Sequence, residues 1–164
     1  MGKIRGMSMN YDEKMDMNTV EFGNMPPQAF LLGLLSAFDN RYQAMADRYI
    51  QEITWKQFFA IICINICKEA PTLNELSDVM GSSHQNVKQI LLKLQSKGFV
   101  SMVPDEKDKR KQRIVLTEKC LEFCQNNEQL SQDVVGRIFE GIDEKKLMVT
   151  IETIMEMERN LGKI

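Results

Sequence analysis

The chain has 164 residues, 43% of them hydrophobic, which is one domain's length with enough apolar material for a sizeable core and excludes an overall disordered chain. Its net charge of −2 argues, taken as a total, against nucleic acid, so the distribution along the chain has to decide. The start lacks a continuous apolar signal region and the longest apolar run, Phe58 to Ile64, is far too short to span a bilayer, so a cytoplasmic protein with no membrane partner is expected.

Residues 1–24, rich in Met, Asn and Asp, show no sustained period and read as a flexible or partner-dependent arm. Pro26-Pro27 then opens a helix in the way proline does at a helix start. Phe30, Leu31, Leu34, Leu35, Phe38, Tyr42 and Met45 recur at helical spacing to about Arg48. Thr54 caps a second helix in which Trp55, Phe58, Phe59, Ile61, Ile62 and Ile66 leave little polar face, and a helix apolar nearly all round is buried.

A third helix is signalled by Thr72 as cap with Glu75 as its capping-box partner, and by Leu73, Leu76, Val79 and Met80 on one face. Gly81 ends it. Ser82 or Ser83 caps the next helix, whose Val87, Ile90, Leu91 and Leu94 fall in one narrow arc. The opposite arc is left to Gln85, Lys88, Gln89, Leu92 and Lys93, with no acid anywhere from Ser82 to Gly98. Long polar side chains near a helix N-terminus suit a helix laid in the major groove: glutamine makes bidentate contacts to adenine, serine bonds to either base pair, and the N-terminus attracts phosphate. The plain alternative is a solvated helix face, since Gln and Lys are ordinary surface residues.

Phe99 to Val103 and Arg113 to Leu116 alternate as two strands around PDEKDKRKQ, which is too polar to be buried. A hairpin with a basic tip beside a recognition helix can reach the neighbouring minor groove, where the negative potential favours arginine. From Ser82 to Arg113 eight cations face three acids, whereas residues 1–81 carry −3 and residues 114–164 carry −4. The positive charge is thus gathered where groove contacts would lie, and two such lobes in a dimer would make a stronger footprint.

These residues resemble the MarR family of transcription regulators. Asp108-Lys109-Arg110-Lys111-Gln112-Arg113 matches that family's D-x-R-x-x-R wing signature, Ile114-Val115-Leu116-Thr117 its apolar-x-Leu-Thr continuation, Lys97-Gly98-Phe99-Val100 its K-G-apolar-V, and Ile53-Thr54-Trp55-Lys56-Gln57 its Leu-Thr-x-x-Gln. The resemblance covers about residues 27 to 161 and implies a mainly α fold with a small β-hairpin wing, a winged helix-turn-helix flanked by N- and C-terminal dimerisation helices. It makes Arg110 the minor-groove residue at the wing tip, with Asp108 and Arg113 bracing the wing through a charge-assisted hydrogen bond. Lys109 and Glu106 depart from the family, where many members have arginine and proline, and Glu106 would loosen the turn. The DNA-contacting set expected from the helix, the wing and the resemblance together is Ser82, Ser83, His84, Gln85, Asn86, Lys88, Gln89, Lys93, Lys107, Lys109, Arg110, Lys111 and Arg113.

Beyond the wing, Thr117 caps a long helix from Glu118 whose middle, Gln125 to Asp133, is nearly devoid of apolar residues, as suits a connector between two cores. Asp143 caps the last helix, with Leu147, Ile151, Ile154, Met155 and Leu161 on its apolar side. The first and last helices either close a monomeric core or are covered by a second copy, and the resemblance implies the second, an obligate homodimer. The expected organisation is a dimerisation region over residues 25–50 and 125–164 around a DNA-binding lobe at 51–124. Two half-sites would then make a pseudo-palindromic operator on double-stranded DNA.

The resemblance also implies a cleft for a small lipophilic or phenolic effector. Tyr42, Trp55 and Phe59 would line it or are plain core. Cys63, Cys67, Cys120 and Cys124 form two i,i+4 pairs, and with His84 the only histidine a zinc site would need all four thiolates, so no metal or cofactor is expected. The cysteines read as small buried hydrophobes, a redox-sensing regulator being the alternative. One histidine on the presumed DNA face, with no nucleophile argued beside it, does not make an enzyme. A winged helix serving only as a protein-interaction module is the other alternative, against which the basic wing counts. Repression is implied only by the resemblance.

Overall fold

A computed structural model describes residues 25–164, and the arm expected over residues 1–24 lies outside the described residues. The chain divides into two compact units, the first ending at Trp55 and the second running from Lys56 to Ile164.

In the first unit α1, Pro27–Tyr49, starts on Pro26 with proline at its first position, and its first turn carries no acid. The chain then turns through Ile50, and Asp47 accepts a hydrogen bond from the N–H of Trp55. Ala46 and Ile53 are buried, while Leu32, Phe38 and Tyr49 stand exposed.

The second unit is built on α2, Trp55–Ile66, which starts at the last residue of the first; α3, Leu73–Met80; α4, His84–Ser96; the strands β1, Val100–Pro104, and β2, Gln112–Leu116; and two long helices, α5, Glu118–Ile138, and α6, Glu144–Leu161. Its core gathers Ile61 and Cys63 from α2, Leu76 from α3, Val87, Leu91 and Leu94 from α4, Phe99, Ile114 from β2 and Cys120 from α5. Phe99 meets Phe123 edge-on at 5.2 Å between centroids, and Phe123 meets Phe58 at 6.3 Å.

Caps fix the boundaries. Thr72 and Glu75 form the full capping box at the start of α3, Ser83 accepts from the N–H of Asn86 at the start of α4, Thr117 from that of Cys120, and Asp143 from those of Lys145 and Lys146. Gly81 (φ 59°) and Gly98 (φ 76°) end α3 and α4 in the left-handed region. At the second, Phe99 donates to the Leu94 carbonyl and Gly98 to that of Gln95, the bond pair that closes a helix when a residue without a side chain takes this conformation.

Two expectations about packing need correction. Val79 is 46% exposed, because at 100° per residue it stands about 110° from the middle of the arc made by Leu73, Leu76, Ser77 and Met80. Ile66 is exposed too, and Trp55, Phe58, Phe59 and Ile62 are only half-buried, so α2 is buried along one face, through Gln57, Ala60, Ile61, Cys63 and Ile64, and not all round.

The strands pair antiparallel with Val100 opposite Leu116 and Pro104 opposite Gln112. The chain before α3 joins them, since Ile114 donates to the Pro71 carbonyl at 2.8 Å. Thr117 closes the return: its hydroxyl donates to the Gly98 and Phe99 carbonyls and its N–H to Phe99. The end of α4, the hairpin and the start of α5 are thereby tied at one residue.

The long helices differ from the core. On α5 only Cys120 is buried, on α6 nothing is, and Leu130, Val135, Phe139, Met148, Val149, Ile151, Met155 and Leu161 are exposed. Among the described residues, no helix is long and apolar enough to cross a membrane.

Candidate nucleic-acid interface

On α4 the four buried residues, Val87, Ile90, Leu91 and Leu94, face inward and fix which side faces out. His84, Gln85, Asn86, Lys88, Gln89, Leu92 and Lys93 are all exposed. Ser83 serves as the cap, and Ser82 accepts from the Asn86 side-chain amide at 2.8 Å.

The wing loop is a closed turn. The Asp105 carboxylate accepts the N–H groups of Lys107 and Asp108 at 2.9 and 2.7 Å, and the backbone bonds of Asp105 to Lys111 and of Lys111 to Asp108 complete it. Glu106 therefore does not leave it loose. Lys107, Lys109, Arg110 and Lys111 are exposed at its tip.

The bracing differs from expectation. Asp108 does not hold Arg113; it pairs with Arg110, whose Nε and Nη2 reach it at 3.1 and 3.3 Å while the arginine side chain stays 92% exposed. Arg113 instead donates through Nε to the nearly buried Asp105, and through Nη1 to the Ala70 carbonyl and the Glu75 carboxylate, each at 3.0 Å. The reason is geometric. Arg113 sits opposite Val103, so Asp105 is its diagonal neighbour across the hairpin, within reach of a long side chain, whereas Asp108 lies out in the turn. With its side chain only 24% exposed and its Nε and Nη1 engaged, Arg113 holds the wing to α3.

Charge follows the contacts. The guanidinium of Arg113, then the loop N–H groups, hold the Asp105 carboxyl at about 2. Glu75 is lowered by its bonds from Thr72, and Asp108 by its bond from Arg110. A carboxylate whose folded pKa is depressed contributes stability that is present above its ordinary value, about 3.9, and is lost as pH falls through the folded one. Protection of the hairpin amides against hydrogen exchange should accordingly drop between about pH 4 and pH 2. In Asp105→Asn that drop should be smaller, the remainder coming from Glu75 and Asp108; an identical acid profile in the variant would remove Asp105 from the brace.

The remaining predicted residues divide. Tyr42 and Trp55 meet edge-on at 4.6 Å, with Phe38 stacked on Tyr42, while Phe59 lies half-buried on α2 in the second unit. Cys63 and Cys120 are buried and Cys67 and Cys124 half-buried, all four free. Burial pushes the Cys63 and Cys124 thiols up and that of Cys120 to about 12, which disfavours the thiolate that oxidants attack. Asp105 and the second role of Glu75 were absent from the sequence reading, although the hairpin register points to the first.

No protein-family model matches the chain. Its fold is that of solved MarR-family transcription regulators. A MarR/EmrR family regulator from Acinetobacter sp. ADP1 superposes with a TM-score of 0.75 at 15% identity, over 85% of this chain and 100% of that one. MepR of S. aureus, solved in complex with DNA, does so at 0.69 and 16%, over 78% and 95%. BpsR of Bordetella bronchiseptica, whose DNA binding is regulated by 6-hydroxynicotinic acid, gives 0.66 and 16%, over 77% and 91%. The winged-helix fold expected from the wing and helix motifs is thus the observed one.

Proposed function

We propose that the chain is a sequence-specific transcription regulator that binds a pseudo-palindromic operator in double-stranded DNA as a homodimer, represses, and is released by a small lipophilic or phenolic effector. The observation that carries this reading is the outward arc of α4, which holds no acid, beside a wing tip bearing four exposed cations on an otherwise acidic chain. A solvated face has no need to be free of acids, and an interaction-only wing has no need of Lys107, Lys109, Arg110 and Lys111.

The DNA complex of MepR supports the first element, and the small-molecule control of BpsR supports the last. The exposed apolar side chains of α1, α5 and α6 support a second copy of the chain as what covers them, with residues 25–50 and 125–164 as the dimerisation region around a lobe at 51–124. Residues Ser82 to Lys93 on α4 would take the major groove, and the wing the adjacent minor groove. Tyr42 and Trp55 offer the aromatic surface that a phenolic effector suits.

The test is selection from sheared genomic DNA at about 150 mM salt, with specific affinity expected on the order of 10⁻⁸ to 10⁻¹¹ M. A shared inverted repeat is the expected outcome, and random retention would overturn it. On the recovered site, Lys93→Ala should reduce the salt slope by about one unit, equally on specific and random DNA. A loss confined to the specific site would give Lys93 to base reading instead.

A further inference from the structure

The arc that α4 turns outward is polar except at its centre. Leu92 is 47% exposed there, and at 100° per residue it stands between Gln85 and Lys88, with Gln89 on the other side of Gln85. Lys88 and Lys93 lie toward the two edges, about 140° apart. A helix seated in a major groove presents its centre to base edges and its edges to the phosphates on either side. Gln85, Gln89 and Leu92 are therefore the base-facing set and the lysines the flanking one.

A glutamine is matched to adenine, through its N6 and N7 atoms, and every adenine is paired with a thymine whose C5-methyl group projects into the same groove. Leu92 follows Gln89 by three residues, about 4.5 Å along the helix, close to the rise of about 3.4 Å between base pairs. One apolar side chain set beside two amide readers is complementary to the one apolar group that a base pair shows there. We infer that Leu92 is a specificity-determining residue that packs on a thymine methyl group, next to an adenine read by Gln89, in each half-site. The inference deepens the proposed DNA-binding function and rests on it.

The experiment replaces the thymines of the selected operator one at a time with deoxyuridine, which removes only the methyl group, and measures binding by wild type and by Leu92→Ala. One position in each half-site should weaken wild type by about three- to fivefold, the contribution of a single buried methyl, and leave Leu92→Ala unchanged. Leu92 is outside the core, so the variant should keep the wild-type thermal midpoint, which is measured alongside. Specific binding that is indifferent to every replacement, or a variant as sensitive as wild type, overturns the role of Leu92 while the regulator reading stands. Absence of sequence-specific binding by wild type overturns both.

Discussion

Phe99→Ala should lower the unfolding free energy by about 3–5 kcal/mol, the range for deleting a fully buried aromatic ring. Phe99 has no exposed surface, meets Phe123 edge-on, and carries the Lys119 ammonium 4.7 Å above its ring while Lys119 also donates to the Lys97 carbonyl. It follows Gly98 directly, so its ring fills the corner where α4, the hairpin and α5 meet. No small rearrangement can fill the space, because the backbone around it is fixed by Thr117 and by the helix-closing bonds. Urea melts at one fixed protomer concentration should show an earlier midpoint with an unchanged slope. Phe99→Leu, which keeps most of the volume, should lose clearly less. A loss below about 1 kcal/mol for alanine would mean that the corner collapses freely around the missing ring.

Arg110→Ala should weaken operator binding by about 1–3 kcal/mol, roughly 5- to 150-fold, while leaving stability within about 0.5 kcal/mol of wild type. The separation of the two effects is the point. Arg110 is almost wholly exposed and touches only Asp108 among the contacts described, whose paired bonds orient the guanidinium without burying it. Arg113→Ala should behave otherwise, lowering both stability and binding, because its donors hold Asp105, Ala70 and Glu75. Anisotropy titrations and thermal melts on both variants check this. Wild-type affinity in Arg110→Ala would take the wing tip out of the mechanism.

Much of this architecture is legible in the sequence because it is written locally. Thr72 with Glu75, Ser83, Thr117 and Asp143 are caps whose partners lie within three residues, and each starts its helix where the pattern puts it. The inward face of α4 follows from spacing alone. What depended on distant pairing was harder to read: the partner of Arg113 is set by hairpin register and by the approach of α3, so the motif's nearer acid, Asp108, was the wrong one. Val79 was misplaced for a different reason, a short helix in which one buried serine, Ser77, shifts the centre of the inward face. The apolar sides of α1 and α6 were visible as periodicity, but periodicity names a face and not what covers it.

Glu75 has one further consequence. Its carboxylate accepts from Thr72 to start α3 and from Arg113 of the returning strand, while Ile114 bonds to Pro71 just ahead of that helix. Helix start and wing are thus tied by shared bonds and are expected to open as one unit of local stability. Native-state exchange should find the amides of Thr72 and Ile114 opening together with a common denaturant dependence. Loosening the wing would then have to melt the start of α3 as well, so the two are suited to moving together rather than being reshaped apart.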